Sequence, residues 1–345
     1  MMPTQNEGGA EIWDDFYKQY GGKFYKDRHW LRREVSELMP SVVKANPRKW
    51  CPPLQGDMNA EPIPDTIPKC QELKDRIVGL EVGCGCGSAA FPLLRANSSM
   101  FLFACDFSNT AIQHLKSRDE YQAQLRSSKR RIYAFVANAA TDKWHWLEDL
   151  ALEIGGFHFL TLIYVISAIP SHLMRSTVVR VTKLLRPGGL IFFRDYAAGD
   201  MKQARFDKRG SKNKVTHQTY KRGEGTLAHY FSLEDVNNLF NGLDLKTLVL
   251  TNIERDITNH KMDITMNRIW IQAKFLLLVR KEDVRAGNGA ARTSSSLSRI
   301  DSHQFDFAHD QSFSCPRILS SLWNNSESSE RHSATTSSSW WCCFS

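Results

Sequence analysis

The stretch RIVGLEVGCGCG, residues 76–87, decides the fold predicted for this chain. Its first half, residues 77–82, is largely apolar and predicts a buried β-strand. The glycines that follow predict a tight turn, because glycine adopts backbone conformations that other residues avoid, and residues 88–96 are expected to continue as a helix. A strand, a glycine loop and a helix in this order are typical of an open α/β sheet, whose ligands bind at the carboxyl ends of the strands.

Six more apolar segments of strand length follow this unit, and helical segments separate the first of them. The six segments lie at residues 100–105, 131–137, 157–167, 190–194, 245–253 and 269–279. Residues 157–167 are apolar almost throughout, as expected of a central parallel strand. The alternation predicts a doubly wound α/β sheet over residues 76–281.

The segments that flank the predicted sheet have a different composition. Residues 11–45 mix aromatic and basic side chains and predict helices, and residues 46–75 hold six of the twelve prolines and predict a loop. We therefore expect an N-terminal helical extension over residues 1–75. Residues 282–345 are rich in serine, show little periodicity and predict a disordered tail.

The charge of the chain is unevenly distributed. The formal net charge is +8, and residues 281–345 contribute −1, so residues 1–280 carry +9. This balance indicates a polyanionic partner such as nucleic acid, or a basic surface with no partner. No apolar run is long enough for a membrane-spanning helix, and the acidic first residues are unlike a targeting peptide. We therefore expect no integral membrane association and a location in the cytoplasm, or also in the nucleus. The spacing of the cysteine and histidine residues predicts no metal site.

The residues around the glycine loop indicate which cofactor it would bind. A nicotinamide dinucleotide site has the spacing G-x-G-x-x-G and binds a pyrophosphate. Here the third glycine, Gly87, comes one residue early. Glu81 stands before the loop, where its carboxylate would repel a pyrophosphate but suits the cationic groups of S-adenosylmethionine. Asp106 ends the second predicted strand and could accept both ribose hydroxyl protons. The alternative is a tight turn with a solvated Asp106.

Several segments resemble, in the same order, those of the tRNA N3-methylcytidine methyltransferases. They are WDDFY (13–17), FYKDRHWL (24–31), GCGCG (83–87), ACDFS (104–108), FRDY (193–196) and EGT (224–226) followed by YF (230–231). The resemblance covers roughly residues 11 to 280. It implies a class I S-adenosylmethionine-dependent methyltransferase fold, Rossmann-like, with an N-terminal RNA-binding extension. It also implies formation of N3-methylcytidine at position 32 of the anticodon loop of tRNA.

The motif residues and the resemblance together define a predicted cofactor site. Its members are Trp13, Tyr17, Glu81, Gly83, Gly85, Asp106, Asn138, Ala139 and Ile163. The spacing of Trp13 and Tyr17 places both on one helix face, and Ile163 is expected to form an apolar wall for the adenine. Asn138 stands where the family usually has Asp, and Leu227 stands where it usually has Arg, which puts one RNA contact in doubt.

The chemistry of the implied reaction points to Asp195. N3 of cytosine carries a lone pair, so methyl transfer requires no general base, whereas the product base is a cation. A carboxylate beside the ring would stabilise the charge that develops. We predict Asp195 for this role and Tyr196 for stacking on the flipped base. The alternative for Asp195 is a structural partner of Arg194.

Two basic zones, residues 18–33 and 201–222, are predicted to bind RNA. The predicted substrate-binding residues are Lys26, Arg28, His29, Trp30, Arg194, Lys221 and Arg222. The resemblance also implies help from seryl-tRNA synthetase or another RNA-binding partner. Two other function classes remain open: a class I methyltransferase of a protein or small molecule, and a non-catalytic methyltransferase-like RNA-binding subunit.

Overall fold

The computed structural model describes residues 9–22, 24–208, 210–259 and 264–278. The tail predicted for residues 282–345 lies outside these ranges. The structure described between residues 9 and 278 belongs to one compact unit.

A twisted, mostly parallel sheet organises this unit. Its strands, in chain order, are β1 (Ile77–Val82), β2 (Met100–Asp106), β3 (Ile132–Val136), β4 (Phe157–Ile163) and β5 (Leu185–Tyr196), and then β8 (Leu245–Asn259) and β9 (Ile264–Leu277). The remaining two, β6 (Thr219–Lys221) and β7 (Leu227–His229), form a separate antiparallel pair. The predicted doubly wound sheet is confirmed, and the last two strands are longer than expected.

The strand order places a ligand crevice in the middle of the sheet. The order is β3-β2-β1-β4-β5-β9-β8, with β9 antiparallel to both of its neighbours and the first five strands parallel. The order reverses between β1 and β4, and open sheets bind ligands outside the carboxyl ends of the strands at such a switch point. The glycine loop follows β1 at this point.

Helices cover both faces of the sheet and form the segment before it. They are α1 (Ala10–Tyr20), α2 (Leu31–Glu34), α3 (Ser41–Ala45), α4 (Cys70–Leu73), α5 (Ala90–Ala96), α6 (Asn109–Lys116), α7 (Asp119–Leu125), α8 (His145–Glu153), α9 (Ser171–Thr182), α10 (Met201–Lys208) and α11 (Leu233–Phe240). Helices α7, α8, α10 and α11 are not among the elements predicted from the sequence.

The segment predicted as helical over residues 11–45 is less regular than expected. Helix α1 ends at Gly21, whose φ of +70° stops the helix. The chain then runs through turns to the short helices α2 and α3. The loop predicted for residues 46–75 is confirmed apart from the single turn of α4.

Ion pairs and apolar contacts hold this segment against the sheet domain. The Asp27 carboxylate accepts hydrogen bonds from Arg95 at 2.8 Å and from Arg118 at 3.1 Å. The backbone N–H of Leu54 donates to Glu120 at 2.8 Å. Leu31 is buried in the same apolar cluster as side chains of α5 and β2. The extension therefore packs as part of the domain and carries α1 to the glycine loop.

No helix in the described ranges has the length and apolarity needed to cross a membrane.

Candidate active site

The glycine loop after β1 is closed in from two sides. Gly83 and Gly85 have φ values of +65° and +52°. A Cβ on Gly83 would lie 2.3 Å from Cγ2 of Val165, and one on Gly85 would lie 2.6 Å from the hydroxyl of Tyr17. Both positions therefore require glycine for conformation as well as for space.

Asp106, at the end of β2, fixes the shape of this loop. One carboxylate oxygen accepts from the N–H of Gly85 at 2.8 Å, and the other accepts from the N–H of Ser108 at 2.9 Å. The side chain is buried, which raises the pKa of Asp106 to about 6 against the opposing effect of these hydrogen bonds. Each oxygen keeps a lone pair, so Asp106 can still accept two ribose hydroxyl protons as predicted.

Glu81 is a buried carboxylate without a partner. It lies in β1 with 1% of its surface exposed, and neither oxygen has a hydrogen-bond partner within the described part of the chain. Burial raises the pKa of Glu81 to about 8, with Arg28 lowering it and Asp106 raising it. An isolated buried carboxylate is strongly unfavourable, so this position is suited to receive a cation.

Helix α1 brings aromatic side chains to the loop. Asp14 anchors the helix by accepting from the Ser108 hydroxyl at 2.6 Å and from the Thr110 N–H at 2.9 Å. Tyr17 is buried, with its ring centroid 6.0 Å from that of Trp13. The indole Nε1 of Trp13 is buried and has no hydrogen-bond partner in the ranges described. The predicted pairing of Trp13 and Tyr17 on one helix face is thus present beside Gly85.

The other predicted cofactor residues lie at the ends of β3 and β4. Asn138 follows β3 and uses its side-chain oxygen to accept from the N–H of Ala140 at 2.9 Å, which shapes the turn that contains buried Ala139. Ile163 ends β4, and its side chain packs in the cluster that contains Leu31 and Cys84. The expected contact between Ile163 and the adenine of the cofactor stays a prediction.

Three tyrosine side chains, Tyr164, Tyr196 and Tyr230, pack together where β4 and β5 end, and we call this cluster the aromatic chamber. The ring of Tyr196 lies 5.3 Å from that of Tyr164 and 5.7 Å from that of Tyr230, measured between centroids. The guanidinium of Arg28 lies 5.0 Å from the ring of Tyr164, and that of Arg222 lies 5.3 Å from the ring of Tyr196. Flat rings with cations beside them suit a stacked nucleobase and its phosphates.

Two residues of this chamber, Tyr164 and Tyr230, are not among the predicted site residues, and Tyr164 has the more unusual conformation. It was predicted inside a strand that would run to residue 167, but β4 ends at Ile163 and a 3₁₀ turn over Ile166–Ala168 follows. Tyr164 has φ of +60°, a left-handed conformation that is unfavourable for a bulky residue. Such conformations concentrate at functional sites. The available sequence signal was a tyrosine directly after an apolar central strand; its φ could not be predicted.

Asp195 is fully buried at the end of β5. One of its oxygens accepts from the N–H of Ser167 at 3.0 Å and the other from the N–H of Tyr196 at 3.0 Å. Burial raises the pKa of Asp195 to about 6, while its hydrogen bonds and the charge of Arg222 lower it. Arg194 turns elsewhere: its guanidinium lies 4.1 Å from the ring of Trp30 and donates to Gln272.

The predicted substrate-binding residues divide into two groups. The first group comprises Arg28 and Arg222, which lie beside rings of the chamber, and Arg194 and Trp30, which contact each other instead. The second group, Lys26, His29 and Lys221, is exposed, and burial of part of the His29 ring lowers its pKa. Lys23 and Arg209, which belong to the two basic zones, lie outside the described residues. Leu227 is buried in β7 with 2% exposed, so it makes no outward contact in place of an arginine.

The residues at the crevice fit S-adenosylmethionine. The unpartnered Glu81 carboxylate suits an ammonium group, the glycine loop admits a ligand close to the backbone, and Asp106 suits ribose hydroxyls. The unpartnered Trp13 N–H offers a further donor. Within the residues described, no group of three or more His, Cys, Asp or Glu side chains could hold a metal ion.

Comparisons with known proteins agree with this geometry. The sequence model of a methyltransferase-domain family matches residues 80–191. The chain is 33% identical to tRNA N(3)-cytidine methyltransferase METTL2 of Danio rerio, over 77% of this chain and 72% of that protein. It is 32% identical to METTL2 of Xenopus tropicalis, over 81% and 80%. It is 30% identical to tRNA N(3)-methylcytidine methyltransferase trm141 of Schizosaccharomyces pombe, over 75% and 89%.

Proposed function

This chain belongs to the tRNA N3-cytidine methyltransferase family, and from that premise we propose that it methylates N3 of a cytidine in tRNA. S-adenosylmethionine is the methyl donor. The cytidine proposed as the target is the one at position 32 of the anticodon loop. The observation that carries the proposal is that the loop after β4 bears both Tyr164 of the aromatic chamber and Val165, which packs against Gly83 of the glycine loop.

The chamber offers what a flipped cytosine requires. A base must leave its stack before an enzyme can modify it, and aromatic rings replace the lost stacking. Tyr164 and Tyr196 present two such rings, and the adjacent Arg28 can donate to the carbonyl oxygen of cytosine or to a phosphate. Uracil carries a proton on N3 where cytosine has a lone pair, so the nucleophile itself discriminates between the two bases.

The charge change in the reaction is matched by the chamber. The base is neutral before methyl transfer and cationic afterwards. Aromatic faces attract a cation, and the Asp195 carboxylate accepts the N–H of Ser167, three residues after Tyr164 in the loop that follows β4. Because each Asp195 oxygen already accepts a backbone N–H, its negative charge is held in place before the reaction, as electrostatic stabilisation requires.

Nucleoside analysis tests this proposal. The purified chain is incubated with S-adenosylmethionine and unmodified tRNA transcripts that carry cytidine or uridine at position 32, and the digested nucleosides are analysed by mass spectrometry. We expect N3-methylcytidine only in the cytidine transcripts. Formation of another methylated nucleoside, or methylation of a protein instead of RNA, would reject the proposal.

We further propose a protein partner and a compartment. Seryl-tRNA synthetase or another RNA-binding protein is the proposed partner, and the cytoplasm, or also the nucleus, is the proposed location because the tRNA substrate is found there. Adding purified seryl-tRNA synthetase to the assay, with a synthetase of another amino acid as control, tests the first point. Imaging of the tagged full chain tests the second.

A non-catalytic RNA-binding subunit is the second candidate, and buried Leu227 is the observation that favours it. Calorimetric titration with S-adenosylmethionine separates the candidates. A methyltransferase binds the cofactor and shows turnover, whereas a non-catalytic subunit binds tRNA without either.

A further inference from the structure

A cavity lies at the amino-terminal edge of the sheet, at the opposite ends of the strands from the candidate active site. Its volume is about 420 Å³. Arg76, Ser99 and Arg131, which immediately precede β1, β2 and β3, lie in its wall together with Asp75, Ser98 and Lys129. Because parallel strands begin at one edge, three separate chain segments bring polar side chains to one place.

The cavity has an excess of positive charge. Among the described residues of its wall, Arg76, Lys129 and Arg131 are cationic and Asp75 is the one anionic residue, while Glu72 attracts Arg76 from outside the wall. Burial lowers the pKa of Arg131, and the nearby guanidinium of Arg76 lowers it further. Like charges held together in a partly buried site are unfavourable unless an anion compensates them.

Backbone carbonyls hold both arginines in position. Arg131 Nη1 donates to the carbonyls of Leu94 at 2.7 Å and Asn97 at 3.0 Å. Arg76 Nε donates to the carbonyl of Glu72 at 2.9 Å. Each guanidinium has further N–H groups, and Ser98 and Ser99, whose side chains carry hydroxyls, belong to the same wall. The donors are therefore preset, and little side-chain entropy is lost when an anion binds.

We propose that this cavity binds a phosphate group. Guanidinium and hydroxyl donors are the groups that recognise phosphate oxygens, and the volume leaves room for a sugar beside the phosphate. The phosphate belongs to the RNA backbone or to a free phosphate compound. The seven residues of β2 separate this cavity from Asp106 by about 20 Å, a distance that a bound polynucleotide can span.

The test uses inorganic phosphate and a tRNA transcript as probes of the full chain. The double variant Arg76→Gln/Lys129→Gln removes two charges, and Lys183→Gln/Lys246→Gln removes two exposed charges away from the cavity as a matched control. Melting temperature is measured against phosphate concentration, and tRNA affinity is measured against salt concentration. Arg76→Lys/Lys129→Arg keeps the charges and reports whether the cavity variant merely misfolds.

We expect phosphate to stabilise the wild type and the control but not the cavity variant. If the phosphate comes from RNA, the cavity variant also binds tRNA about tenfold more weakly, with a salt dependence shallower by about one unit of slope. Loss of the phosphate response with normal tRNA affinity assigns the site to a free phosphate compound. Wild-type responses to both probes in the cavity variant overturn the proposal. Binding of S-adenosylmethionine by the same variants is measured separately. Absence of this binding would count against the methyltransferase assignment and would leave the test of the phosphate site unaffected.

Discussion

Replacing Glu81 by Gln should stabilise the protein without cofactor and weaken its binding of S-adenosylmethionine. The pKa of Glu81 rises from 4.5 to about 8 because the carboxyl is buried. Below pH 4.5 the group is protonated in both the folded and the unfolded chain. Between pH 4.5 and 8 the unfolded chain loses this proton while the folded protein keeps it, so stability falls as pH rises. At pH 7 the cost is about 3 kcal/mol, at about 1.4 kcal/mol for each pH unit.

The variant removes this cost because glutamine does not ionise in either state. For a domain of this size we expect the melting temperature at pH 7 to rise by roughly 6–12 °C. At pH 5 the gain should fall to about a quarter of that at pH 7, which makes the pH series its own control. Exposed Glu61→Gln should show no gain at either pH. Thermal unfolding without cofactor measures the effect. An equal gain at pH 5 and pH 7 would refute the reasoning, because it would arise from packing and not from ionisation.

The same substitution tests the cofactor contact. Wild-type Glu81 is protonated at neutral pH, so binding the ammonium group of the cofactor should release nearly one proton, and affinity should rise up to about pH 8. The Glu81→Gln variant should bind about 10–100-fold more weakly at pH 8, since it lacks a charge-assisted hydrogen bond. Calorimetry in buffers of different ionisation enthalpy measures both quantities. Proton release that persists in the variant would show that another group titrates.

Three further substitutions test the rest of the site. Asp106→Ala should weaken cofactor binding by at least tenfold, because it removes two charge-assisted acceptors and loosens the loop at Gly85. An unchanged affinity in calorimetry would place the cofactor elsewhere. Asp195→Asn should lower single-turnover formation of N3-methylcytidine about 10²–10³-fold with near-normal cofactor affinity, and full activity would remove Asp195 from the mechanism. Tyr164→Phe should retain most turnover, because it keeps the aromatic ring. Tyr164→Gly should lose turnover, although it relieves about 1 kcal/mol of backbone strain. An active glycine variant would contradict a stacking role for Tyr164.

The parts of the site that could be predicted are those in which one short segment carries the whole signal. The glycine loop, Glu81 and Asp106 stand at the ends of strands whose apolar sequence is unambiguous, so their meeting follows from the parallel sheet. The WDDFY segment could be placed in the site only through its family resemblance. Nothing in its spacing indicates that Tyr17 would lie against Gly85.

The parts that could not be predicted depend on contacts between distant segments. The chamber combines Tyr164 from the end of β4 with Tyr196 from β5 and Tyr230 after β7, and only the folded chain brings these rings within 6 Å of a neighbour. The unpartnered state of Glu81 is likewise a property of its surroundings. The alternative expected for Asp195 is a pairing with Arg194. In the structure the Arg194 guanidinium stacks on Trp30 instead, a contact between distant segments that the sequence does not reveal.

The loop after β4 connects the two halves of the site, and this connection bears on how Asp195 acts. Val165 packs against Gly83 on the cofactor side, and Tyr164 packs against Tyr196 on the base side. Asp195 holds this loop two residues after Val165, by accepting the Ser167 N–H. An asparagine side chain can still accept this N–H through its carbonyl oxygen, but it lacks the charge, and its NH2 group cannot accept the N–H of Tyr196. If Asp195 acts only by position, Asp195→Asn should keep activity while Asp195→Ala loses it. If its charge stabilises the product cation, both variants should lose activity, and only the alanine variant should also lose cofactor affinity.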